Sequence, residues 1–129
     1  MKPKITMAWE QVGAVAGTRY DASRWSADRS TLWLSLWSDR MKRVKSGSYR
    51  YPLCTDQDLE RNAGVRHHAN VREAIKRGVP MRGFLVWPSK SLSAQGNRGI
   101  ADADPTRQYQ VEVESSDGNV IVALAKGME

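Results

Sequence analysis

Cysteine is nearly missing from this chain of 129 residues: Cys54 stands alone. A single thiol excludes an internal disulfide and a cysteine-based zinc cluster, and beside Leu53 it reads as a small buried apolar group. No apolar run reaches the roughly 18 residues of a membrane helix, and the start lacks a basic, apolar and small-residue leader pattern. The expectation is a cytoplasmic protein with no membrane association. Glycine-rich phosphate loops, zinc-finger spacings, helix-turn-helix patterns and the G-x-S-x-G elbow are also missing. No cofactor or metal is therefore expected, and serine-hydrolase chemistry has no support.

What is present is ordinary globular material, 40% hydrophobic and 26% charged, in a length that suits one domain. Twenty Lys and Arg against fourteen Asp and Glu give a net charge of +6, which favours polyanionic partners. The charge is segregated along the chain. Residues 38–52 carry Arg40, Lys42, Arg43, Lys45 and Arg50 against Asp39. Residues 102–117 carry Asp102, Asp104, Glu112, Glu114 and Asp117 against Arg107. Such blocks suggest one face that meets an anion and another that turns away from it.

Hydrophobic periodicity predicts a short helix over 7–16, with Ala8, Val12, Val15 and Ala16 on one side and Gly17 as its stop. Residues 18–30 read as a polar, irregular loop anchored by Tyr20 and Trp25. The clearest strand is 31–38, where Leu32, Leu34 and Leu36 share one face and Trp33, Ser35 and Trp37 the other. A basic hairpin follows, turning at Ser46-Gly47-Ser48 and returning over 49–53. A helix over 67–77 places His68, Val71 and Ile75 on its apolar stripe and Arg66, Asn70, Glu73 and Arg77 on its wet face, with Gly78 as its end. Residues 81–87 form a strand buried on both faces, and 88–106 a long loop. The closing hairpin turns at Asp117-Gly118, its apolar last strand (120–125) lying inside the sheet.

The sum is an α+β fold in one domain. About five mostly antiparallel strands form a curved sheet or half-open barrel, with one central helix and a short N-terminal helix.

Three groups of residues could carry function. In the first, Arg40, Lys42, Arg43, Lys45 and Arg50 would neutralise phosphates while Trp33, Trp37, Tyr49 and Tyr51 offer faces for unpaired bases. Arg66, Arg72 and Arg77 extend this footprint if the central helix borders the same groove. The sharper form is a pocket of aromatics around one extruded or modified base. The competing reading makes the tryptophans packing residues of a sheet covered on both faces.

His67-His68 among arginines is the second group, an acid and base for a small ribonuclease or nuclease. Adjacent helical residues point about 100° apart, however, which suits a structural role better. In the third, Glu112 and Glu114 with Asp102 and Asp104 resemble a magnesium-holding edge but lack the accompanying lysine, and read as solvated charge. The first expectation is a non-enzymatic module binding DNA or RNA. The alternatives are the nuclease and a protein-interaction or inhibitor module that docks on an acidic protein partner.

Overall fold

The computed structural model describes residues 3–17, 21–92 and 98–128, with the side chains of 90–92 and 98 left aside. Tyr20, the expected loop anchor, lies outside the described residues. The elements in chain order are α1 (Lys4–Gln11), β1 (Ser23–Trp25), β2 (Leu32–Trp37), β3 (Lys42–Lys45), β4 (Ser48–Cys54), α2 (Asn62–Arg77), β5 (Met81–Leu92), β6 (Arg98–Asp117) and β7 (Val120–Gly127). Short 3-10 turns, Ser38–Arg40 and Gln57–Glu60, precede β3 and α2.

The strands form one seven-stranded mixed sheet in the order β1-β2-β5-β6-β7-β4-β3, and it is not closed. The α+β class and the antiparallel bias agree with the sequence reading, but the strand count was short by two. β1, expected as loop, pairs antiparallel with β2 through Ser23, Arg24 and Trp25. The loop expected over 88–106 is instead a β-arm, because β5 runs to Leu92 and β6 starts at Arg98. Its residues are too small and polar to show an alternation. β2 and β5 pair in parallel, with Leu32 beside Met81 and Trp37 beside Val86, and β3, β4 and α2 lie in the connection between them.

Curvature follows from one contact. β2 and β4 are four inter-strand steps apart, roughly 19 Å in a flat sheet at about 4.8 Å per step. Yet the Trp37 N–H donates to the Tyr51 hydroxyl at 2.9 Å. The sheet must curl until its two halves nearly meet, leaving a seam between β2 and β4 that α2 fills from the concave side.

Two cores result. The concave one gathers Leu32, Leu34, Leu36, Tyr51, Leu53, Ile121, Ala123 and Ala125 around Val71 and Ala74 of α2. The convex one packs Ile5, Ala8 and Trp9 of α1 on Trp33, Phe84 and Val86. Burial of each large side chain here is worth about 1.5–3 kcal/mol. α1 begins and ends earlier than expected because Ile5, Ala8, Trp9 and Val12 form its inward stripe, and Gly13, with φ of 78°, terminates it in place of Gly17. Val15 is exposed.

α2 gains a turn and a half at its N-terminus relative to the sequence reading. It buries His67, His68, Val71 and Ala74, whereas Ile75, expected on the stripe, is exposed. Gly78 ends it at φ 67° as expected. The two hairpin turns also fall where the sequence put them, with Gly47 and Gly118 at positive φ.

Candidate functional site: a basic edge beside an open seam

The expected aromatic platform is not open. Trp33 is 8% exposed beneath α1, and Tyr51 is 4% exposed with its hydroxyl at the seam. The cause is the α1 cluster, which covers the convex face where Trp33 points. Tyr49 is partly buried, edge-on to Tyr109 at 5.9 Å between ring centroids. Trp37 alone of these four combines a partly exposed ring with a neighbouring cation, the Arg40 guanidinium 5.8 Å from the ring centre.

Half of the eight basic candidates, Arg50, Arg66, Arg72 and Arg77, are already engaged. Arg50 makes a two-pronged pair with Glu114, Nε to Oε1 at 2.6 Å and Nη2 to Oε2 at 3.0 Å. That pair holds the Glu114 carboxyl below its ordinary range. Arg66 reaches Asp21 at 3.1 Å, which also pairs with the buried Arg24 at 3.4 Å. Arg72 donates to the Gly118 carbonyl at 2.8 Å. Arg77 donates to Glu73 and to the Arg29 carbonyl, both at 3.3 Å.

The charge blocks seen along the chain therefore do not stay apart in space. β6 lies two strands from β4, so its Glu114 meets Arg50, and its Glu112 lies 3.9 Å from Lys126. The expectation of one cationic and one anionic face is corrected to a mixed face with a cationic edge.

That edge is β3. Lys42, Arg43 and Lys45 are exposed and have no acidic partner among the described residues, and Arg40 leads into them. Lys42 lies opposite Arg50, Arg43 opposite Tyr49 and Lys45 opposite Ser48, with a register shift between Arg43 and Lys45. Regular alternation would separate Lys42 and Lys45 onto opposite faces. The extra residue Val44 puts both on the face that carries Arg50.

Between β2 and β4 the seam opens as a cleft of about 70 Å³, with Arg40, which leads into the edge, on its wall. Ser35, Trp37, Arg40, Tyr51, Asp58 and His67 line it, with Leu34 and Leu36 at its floor. Asp58 was not singled out from the sequence. It comes from the 57–60 turn, and nothing local signals its approach to residues 35–40. A larger hollow, about 230 Å³, lies between β1 and α2. Its charged walls, Asp21, Arg24 and Arg66, are ion-paired with one another.

The histidines are interior. His67 is 5% exposed and both ring nitrogens are bonded: Nδ1 lies 2.9 Å from Ser23 Oγ and Nε2 lies 2.7 Å from the Leu53 carbonyl. A carbonyl only accepts, so Nε2 carries the proton and Ser23 donates to Nδ1. Asn70 donates to Ser23 Oγ at 3.1 Å, and Trp25 Nε1 donates to Asn70 Oδ1 at 3.2 Å. One directed chain thus runs from β1 through α2 to β4. Burial pushes the His67 pKa below its ordinary value. His68, 4% exposed, donates from Nε2 to the Thr55 carbonyl at 2.9 Å. Cys54 is buried too, its thiol pushed up to about 12 by burial. Among the described residues no group of three His, Cys, Asp or Glu comes together as a metal site, and no helix is long and apolar enough to cross a membrane.

No family model matches the chain, and neither a curated protein nor a solved structure matches it.

Proposed function

We propose that this protein is a cytoplasmic, non-enzymatic nucleic-acid-binding module whose contact edge is the stretch from Arg40 to Lys45. The observation that carries this is the contrast in pairing. Arg50, Arg66 and Arg77 each lie on a carboxylate and Arg72 on a carbonyl, while Lys42, Arg43 and Lys45 stand exposed together without an acid among the described residues. Unpaired cations concentrated on one edge release counterions when they meet phosphates, which drives binding to DNA or RNA. The burial of both imidazoles weighs against the nuclease alternative, since neither ring offers a free nitrogen at the surface.

The test is a titration of the folded protein with single-stranded and duplex DNA and RNA at two salt concentrations, run beside the K42A/R43A/K45A variant. Binding should weaken steeply with salt, and the variant should lower the slope of log K against log salt by about 2–3. Oligonucleotides recovered intact count against cleavage. Absence of binding to all four at low salt sinks the proposal and moves the basic edge to an acidic protein partner.

A further inference from the structure

We infer that the seam cleft is a single-base subsite, so that the preferred ligand is a single strand with an amine-bearing base seated beside Trp37. The inference rests on the nucleic-acid reading and specifies its ligand.

The hairpin of β3 and β4 does not project. Gly127 N–H donates to the Gly47 carbonyl at 2.9 Å, which ties the hairpin turn to the end of β7. A β-ribbon that reads duplex DNA enters the major groove, and a hairpin tied flush to its neighbour has no free ribbon to insert. An exposed cationic edge next to an aromatic ring instead follows one backbone and stacks its bases. Trp37 and Arg40 supply that pair, one for the base and one for its phosphate.

The cleft behind Trp37 then sets which base. Its volume of about 70 Å³ is several times the roughly 10–15 Å³ that one water needs. On this inference it receives the edge of one base. Asp58 lines the cleft with one carboxylate oxygen accepting the Thr55 N–H at 2.9 Å, and its other oxygen has no partner among the described residues. A carboxylate oxygen accepts, so it takes the exocyclic amine of cytosine, adenine or guanine. Thymine and uracil flank their single N–H with carbonyl oxygens that a carboxylate repels.

The experiment titrates the protein with oligo-dC, oligo-rC and oligo-dT of about ten nucleotides, within single-strand site sizes, and with a duplex of equal phosphate number. Binding is read by anisotropy and by tryptophan quenching. One or other oligo-C should bind about tenfold more tightly than oligo-dT and the duplex, with quenching. W37A should weaken that binding about tenfold. W37F should keep binding within about threefold while losing the quench, which separates stacking from misfolding. Duplex binding as tight as single-strand binding, equal affinity for C and T, or a quench that persists in W37F would overturn the subsite while leaving the nucleic-acid reading in place. No binding to any probe would overturn both.

Discussion

The backbone N–H of Trp37 donates to the hydroxyl of Tyr51 at 2.9 Å although β5, β6 and β7 lie between their strands in the sheet. This bond spans the seam at the point where the cleft opens, linking curvature to the candidate site. Tyr51→Phe removes the acceptor and little volume. It should lower stability by about 1–2 kcal/mol, seen as a lower urea midpoint with an unchanged m-value. An unchanged midpoint would mean that the seam is held without this bond.

His67 gives a pH dependence whose sign is fixed by its burial. Its folded pKa lies below the unfolded value of about 6.5, so the unfolded chain binds the extra proton first. The stabilisation is complete above about pH 6.5. It declines as pH falls below that value, by at most about 1.4 kcal/mol per pH unit, until the folded pKa is reached. Glu73 and Glu114, whose folded pKa values are lowered by Arg29 and Arg50, lose their contributions in a separate and more acidic window. Urea denaturation at pH 7.5 and 5.5 should show the first decline in the wild type and lose most of it in His67→Gln.

Gly64 lies in the first turn of α2, where alanine ordinarily stabilises a helix by about 0.5–1 kcal/mol. Here a Cβ would stand 1.8 Å from the Asp58 carbonyl oxygen and 2.5 Å from its carbon, both backbone atoms that cannot rotate away. Gly64→Ala should therefore reverse the usual sign and destabilise by about 1–3 kcal/mol or more. A thermal melt decides it, and a variant at least as stable as wild type would show that the 57–60 turn moves freely.

Glu114→Gln leaves the sheet unchanged and removes the carboxylate that holds Arg50. On the proposed function, the released guanidinium joins Lys42 and Lys45 on their shared face. Nucleic-acid affinity should rise, and the salt slope should steepen by up to about 0.9. Unaltered affinity and slope would place the contact away from Arg50.

Where local chemistry decides the backbone, the fold was legible. Leu32, Leu34 and Leu36 alternate as a half-buried strand should, and Gly47, Gly78 and Gly118 mark their turns and helix end. The misreadings share a cause in contacts between distant segments. Trp33 alternates like a surface residue, and only the arrival of α1 from twenty-five residues upstream buries it. β1 has too few residues to show a period, and its strand character comes from pairing with β2. The candidate site suffered most, because the Arg50–Glu114 and Arg66–Asp21 pairs join residues 64 and 45 positions apart. Charge blocks along a chain say nothing about which strands a sheet will set side by side.

β3 also ends the ladder, and its outer side would otherwise offer backbone groups to any passing strand. A second copy docking there would bring Lys42, Arg43 and Lys45 against the same cations. The charges proposed to draw in a polyanion thereby guard the sheet against growing by self-addition, and neutralising them for an experiment removes that guard as well.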